Sequence, residues 1–147
     1  MGPRNSNRRT EIGREEHTYC LCRTRLQGFH EVIELPGELM ERLKRIAAVM
    51  FDNFQKEYSY LVRDLEHIKL PENRQRIETA FATEIFIPLT ALMDEAIRRR
   101  QLHGDPRFLA QVYGSLVDSF IARADEFNLK NEELAKQLVA FFLRGAA

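Results

Sequence analysis

A pair of amphipathic helices between Gly104 and Gly145 sets the narrowest limits on how this chain folds. Gly104-Asp105-Pro106 opens the stretch, with glycine suited to the position after a helix end, Asp to the N-cap and Pro to the first helical residue. The second helix, which we expect Asn131 to cap and Gly145 to follow, has Leu134, Leu138, Phe141 and Phe142 on one face. Faces this broad must be buried in the same chain or in a second copy. The first helix spaces its apolar residues by three and four: Phe108, Leu109, Val112, Tyr113, Leu116, Val117, Phe120, Ile121 and Ala124.

The region from Glu38 to Arg100 predicts further helices and no convincing strand. One apolar stripe runs from Leu39 to Phe54 and continues to Leu65, with a break expected near Glu57 to Ser59. A second helix begins at Leu70-Pro71 and is apolar over a wide arc, which indicates a central, mostly buried helix. Pro88 lies inside it and predicts a kink near Glu84 to Pro88. We therefore predict an all-α fold, a helical bundle of about five helices.

Composition and charge narrow the possible functions. The 147 residues suffice for one domain with a core, and contents of 44% hydrophobic and 30% charged residues are those of a soluble globular protein. The 22 basic and 22 acidic residues cancel, so no overall field favours nucleic acid or an anionic membrane. No apolar run approaches the roughly 20 residues of a membrane helix, and the N-terminus lacks the apolar region of a signal peptide. We expect a cytoplasmic protein.

The first 37 residues differ from the rest of the chain. Apolar residues are sparse before Leu21 and follow no sustained period, which predicts an irregular N-terminal segment. Thr18 to Ile33 is compatible with either a short helix or an extended piece. Leu35-Pro36-Gly37 predicts a turn, and we place the domain boundary there, dividing the chain into residues 1–37 and 38–147.

The residue types used in catalysis and metal binding form no specific pattern. His17, Cys20 and Cys22 lie close together, but a structural zinc site normally uses spaced pairs of ligands. Cys20 and Cys22 are also poorly spaced for a disulfide bond with each other. There is no nucleophile–base–orienter set and no glycine-rich phosphate loop. We therefore predict a protein that is not an enzyme and uses no metal or cofactor.

The order of segments from Glu38 to Gly145 resembles the C-terminal effector-binding and dimerisation domain of TetR-family transcriptional regulators. The family also has an N-terminal helix-turn-helix that enters the DNA major groove. Here Leu26 to Ile33 faintly resembles the end of that domain's first helix, and the recognition helix is missing before Glu38. The resemblance rests on four pieces: Leu39 to Ile46 (the family's "ERL.RI" opening), Phe51 to Leu65, the Ala96 to Pro106 turn into the penultimate helix, and the Leu138 to Gly145 ending.

The resemblance implies a homodimer that binds a small, mainly apolar effector, with DNA binding only where a helix-turn-helix is present or supplied elsewhere. Pockets between bundle helices are a usual place for such ligands. The set expected to line the ligand cavity is Phe51, Phe54, Tyr58, Leu61, Phe81, Ile85, Phe86, Leu89, Met93, Tyr113, Leu116 and Phe120. The set expected at the dimer interface, as one four-helix bundle formed by two copies, is Leu109, Val112, Val117, Ile121, Leu134, Leu138, Phe141 and Phe142.

Two other interpretations remain open at this point. The aromatic and aliphatic residues of the first set also suit a closed core, in which case the chain is a helical protein–protein interaction module with no ligand cavity. A third possibility is nonspecific DNA binding through the arginines between Arg4 and Arg25, which a steep salt dependence identifies.

Overall fold

The described part of the chain is entirely helical in the computed structural model, which describes residues 3–54 and 68–147, and it contains no strand. This confirms the all-α fold. None of the described helices is both long enough and apolar enough to cross a membrane. In chain order, the elements are α1 (Pro3–Leu26), α2 (Phe29–Glu34), α3 (Leu39–Phe54), α4 (Pro71–Phe81), a π-helical turn (Ala82–Phe86), α5 (Ile87–Arg98), α6 (Pro106–Phe127) and α7 (Asn131–Ala146).

One hydrophobic cluster joins most of these helices. α3 packs against α6 and α7, and α5 packs against α2 and α6. Leu43, Phe51 and Met93 are fully buried in this cluster, as the helical stripe on α3 and the broad apolar arc on α5 predict. The break expected near Glu57 to Ser59 lies outside the described residues.

The N-terminal residues are helical, in contrast to the irregular segment expected over residues 1–37. α1 has 24 residues and α2 has six, joined at Gly28, whose φ of 84° requires glycine. Phe29 and Ile33 of α2 belong to the same hydrophobic cluster as α3 and α5, so the turn at Leu35 to Gly37 separates two helices of one core. Apolar periodicity gave no sign of α1 because its contacts with α4 are largely polar.

The chain reaches α5 through a π-helical turn at the place where a kink was expected. Pro88 has no N–H, and in a regular α-helix its ring clashes with the carbonyl of Glu84. In the structure, the Ile87 N–H donates to the carbonyl oxygen of Ala82, five residues back, so one turn is widened ahead of the proline. The sequence therefore located the disturbance, and the structure gives its form.

The end of α5 is closed by an arginine in the left-handed conformation. Arg100 has a φ of 60°, its N–H donates to the Ile97 carbonyl (3.0 Å), and the Gln101 N–H donates to the Ala96 carbonyl (2.9 Å). This pattern is a Schellman motif with Arg100 at C′. The expectation that Gly104 takes this position is wrong, although Gly104 does have a positive φ of 130° in the following loop.

The last helix begins and ends slightly differently from the prediction. The Leu134 N–H bonds to the Lys130 carbonyl, so Lys130 is the N-cap, and the Asn131 amide instead donates to Asp52 of α3 (2.8 Å). Gly145 lies within α7, which continues to Ala146. The Ala146 carbonyl accepts from the His103 N–H (2.8 Å), which attaches the end of α7 to the loop before α6.

Candidate functional site

The site with the clearest features is the hairpin of α6 and α7. Asp105 caps α6 as predicted, because its Oδ1 accepts from the Arg107 N–H (2.8 Å) and the Phe108 N–H (3.2 Å). Pro106 is the first residue of the helix, which ends at Asn128 in the left-handed conformation. The turn over Asn128 to Lys130 then sends α7 back along α6.

The inner faces of the hairpin are bound into the core. The Tyr113 and Phe142 rings lie with centroids 5.0 Å apart and planes at 60°, a favourable tilted arrangement. The Tyr113 hydroxyl donates to the Leu43 carbonyl of α3 at 2.5 Å. Burial raises the pKa of Tyr113 far above its usual value, so the hydroxyl stays protonated and acts as a hydrogen-bond donor.

Six of the eight residues expected at the dimer interface are buried inside a single chain, so their assignment to a surface is wrong. The spacing of the apolar residues does not tell which neighbour covers them. In the structure, earlier helices of the same chain cover them. Val112 is partly buried against the core, and Phe141 is 72% exposed. The six buried residues are Leu109, Val117, Ile121, Leu134, Leu138 and Phe142.

Exposed aromatic side chains nevertheless remain on the outside of the hairpin, with the charged residues Asp118 and Arg123 also exposed on α6. Phe108 is 64% exposed at the start of α6, and Ser115 and Ser119 follow at helical spacing on the same exposed side. Val112 and Leu116 flank them and are partly buried. We call Phe108, Val112, Ser115, Leu116 and Phe141 the α6–α7 outer face.

Phe141 belongs to this face because of its position on α7. Since Phe142 contacts Tyr113, Phe141 lies at the level of the middle of α6. Of the α7 residues that line the groove against α3, Ala135 and Lys136 lie about 120° and about 140° from Phe141 around the helix axis. Gly114 faces Phe86 of the same chain, since a Cβ there would lie 3.8 Å from the Phe86 Cε1.

The residues expected around a ligand cavity and described by the structure are either partly buried or fully buried. Phe81, Leu116 and Phe120 are partly buried against the cluster, and Phe86 is partly buried beside Gly114. The side chains of Phe54, Tyr58 and Leu61 lie outside the described residues, so the cavity they would close stays a prediction. The remaining members are buried in the hydrophobic cluster: Phe51, Ile85, Leu89, Met93 and Tyr113.

A polar groove lies between α3 and α7, and sequence reasoning missed it. Its volume is about 750 Å³, and it is open to solvent. The groove is formed by the polar faces of two helices far apart in the sequence, so no local pattern indicates it. Four cationic and four anionic side chains line it, which does not suit a small apolar effector: Lys44, Arg45, Lys130 and Lys136 with Glu41, Asp52, Glu132 and Glu133.

A histidine–carboxylate pair joins α2 to the π-helical turn. The His30 Nδ1 lies 2.7 Å from the Glu84 Oε2, and the His30 N–H donates to the same oxygen at 3.3 Å. The hydrogen bond to Glu84 raises the pKa of His30 above its ordinary value. Burial acts to raise the pKa of Glu84, but the hydrogen bonds from His30 outweigh it and the pKa is lowered.

Groups able to hold a metal ion are not assembled in the part of the chain that the structure describes. Of the three candidate ligands near the N-terminus, His17 and Cys20 are exposed on α1, and the Cys22 side chain lies outside the described set.

Comparison with known proteins adds no relative: no protein-family model, no curated protein and no solved structure matches this chain.

Proposed function

We propose that this chain is a cytoplasmic TetR-type effector-binding and dimerisation domain, in which two copies pair through the α6–α7 outer face. A small, mainly apolar effector then binds among the earlier helices. The proposal includes no specific DNA contact, since no recognition helix is predicted before Glu38. The order of the helices after Glu38, which resembles that of the TetR-family effector domain, is one support for it.

The single observation that carries the proposal is the exposure of Phe108 and Phe141 on the outside of the hairpin. Aromatic rings are enriched at the centre of protein–protein interfaces. Ser115 and Ser119 lie between the larger side chains, so a facing helix approaches closely. The same hairpin supplies the inner wall of the core, which fixes the positions of both helices before association.

The mass of the protein in solution tests the self-association. We expect a dimer at micromolar concentration in light scattering coupled to size exclusion, and a monomer for Phe141→Lys and Phe108→Lys. Ile87→Lys is a matched control, because Ile87 of α5 is 64% exposed, as Phe108 is, but lies outside the α6–α7 outer face. A monomeric parent protein, or dissociation by the control as readily as by Phe141→Lys, would contradict the proposal.

The alternative function is an interaction module that encloses no ligand, and one observation favours it. Phe51, Met93 and Tyr113 are fully buried in the core cluster, where neighbouring side chains occupy the space that an effector needs. Saturable binding of the apolar dye 1-anilinonaphthalene-8-sulfonate, weakened by Leu89→Phe, supports an internal cavity. No saturable binding by the folded protein supports the interaction module.

A further inference from the structure

Within residues 3–54 and 68–147, the long N-terminal helix has one main contact with the rest of the molecule. Among the described helices, α1 packs mainly against α4. Of the α1 side chains that the structure describes, only Leu26, the last residue of the helix, joins the main hydrophobic cluster. Ile68 and Ile77 are buried but lie outside that cluster. The contact between α1 and α4 is therefore separate from the core, and Gln27-Gly28 is the joint between α1 and α2.

A buried carboxylate forms the centre of this contact. Glu15 of α1 is 6% exposed, and its Oε1 accepts from the Lys69 N–H (2.5 Å) and the Leu70 N–H (3.1 Å). Its Oε2 accepts from the Asn73 amide (3.0 Å). Leu70 is the N-cap of α4 and offers no capping side chain. Glu15 thus caps, from another helix, the end of α4 where the helix dipole favours a carboxylate.

The groups around Glu15 favour its ionised form. Burial acts to raise its pKa, but the hydrogen bonds from Leu70, Lys69 and Asn73 and the charge of Arg74 outweigh burial, and the pKa is lowered. A charged carboxylate accepts stronger hydrogen bonds than a neutral carboxyl does, so protonation of Glu15 weakens the contact.

The remaining polar contacts lie at the edge of this one. Arg76 of α4 pairs with Glu16 of α1 at 3.0 Å, and its guanidinium lies 3.7 Å from the centroid of the Tyr19 ring. Both members of the ion pair are exposed, so the pair adds little stability. Lys69 and Glu72 are the other charged side chains of this end of α4, and Arg14 precedes Glu15 on α1.

We propose that α1 is a latch, that is, a helix that undocks from α4 as a unit while the core stays folded. The hydrogen bonds that Glu15 accepts from Lys69, Leu70 and Asn73, which we call the Glu15 clamp, set how often it undocks. Undocking hydrates the Glu15 carboxylate and breaks its hydrogen bonds with the N–H groups of Lys69 and Leu70. This inference rests on the contacts of α1 alone and does not depend on the proposed function.

Hydrogen exchange followed by mass spectrometry on the full chain tests the latch. For Glu15→Gln, we expect amide exchange to rise about 10- to 100-fold in α1 and in residues 68–74, because hydrogen bonds to a charged group are the stronger kind. Exchange in α6 and α7 should stay unchanged. Glu16→Gln is the matched control, since it removes the neighbouring charge and the exposed ion pair but leaves the clamp, and it should change exchange in α1 by less than about threefold.

Two outcomes overturn the proposal. A rise of equal size in α1, α6 and α7 means that α1 unfolds only with the core. Equal exchange of α1 in Glu15→Gln and Glu16→Gln means that the clamp does not set the docked population.

A second variant, Asn73→Ala, removes one of the three donors and should raise α1 exchange by less than Glu15→Gln does. Far-UV circular dichroism at each step checks that the variants are folded.

Discussion

Replacement of Tyr113 by phenylalanine isolates one buried hydrogen bond. The variant keeps the ring contact with Phe142 and removes only the hydroxyl that donates to the Leu43 carbonyl. Leu43 lies inside α3, so its carbonyl keeps the N–H of the next helical turn as a partner. The loss is therefore that of one net hydrogen bond, about 1 kcal/mol. For a domain of this size, it lowers the melting temperature by about 2–4 °C.

The measurement is urea denaturation followed by far-UV circular dichroism, with Phe142→Ala as the comparison. That variant leaves a cavity in the same place and should cost about 3–5 kcal/mol. Because burial raises the pKa of Tyr113, we expect the stability of the parent protein, unlike that of Tyr113→Phe, to fall as the pH rises above 10.0, where the unfolded tyrosine ionises first. No loss in Tyr113→Phe would show that the bond is not formed, and a loss above about 3 kcal/mol would show that the Leu43 carbonyl is left without a partner.

Two further predictions concern a helix end and a charge pair. Asp105→Ala should lower the free energy of unfolding by about 1 kcal/mol because the first N–H groups of α6 lose their acceptor, whereas Asp105→Asn, which keeps an acceptor, should stay close to the parent in the same denaturation experiment. The His30–Glu84 pair should stabilise the protein fully below the ordinary His pKa of 6.5 and lose its contribution as the pH rises through the raised pKa of His30. A stability profile in this pH range that is the same for the parent and for His30→Gln would contradict the second prediction.

The sequence predicted best those helices whose apolar faces are buried in the core. The stripe from Leu39 to Phe54 became α3, and the cap at Asp105 became the start of α6, since both signals are local. α1 was not predicted because the polar side chain of Glu15, rather than an apolar stripe, forms the centre of its contact with α4, and buried polar side chains follow no periodic pattern. The π-helical turn was located by Pro88, but its form depends on how the chain repairs a missing N–H.

The candidate site was harder to predict because it depends on tertiary neighbours. Leu138 and Phe142 have the spacing of an interface as well as that of a core, and only the position of α3 decides between them. Phe141 shares their pattern and is exposed. The α3–α7 groove joins Glu41 to Lys136, nearly a hundred residues along the chain, so it is visible only after folding.

The π-helical turn between α4 and α5 also fixes the rotational phase between the two ends of the molecule. A π turn carries one residue more than the corresponding α-helical turn, and one residue corresponds to about 100° of rotation about the axis. The rotation of α5 about its axis is fixed because Leu89 and Met93 are buried in the hydrophobic cluster. On α4, the Asn73 amide donates to Glu15. If this turn became regular α-helix with its number of residues unchanged, both halves would stay helical, but the surplus residue would add about 100° of rotation between them. Asn73 would then point about a quarter-turn away from Glu15. A change in the π-helical turn would therefore break a hydrogen bond at the contact between α1 and α4.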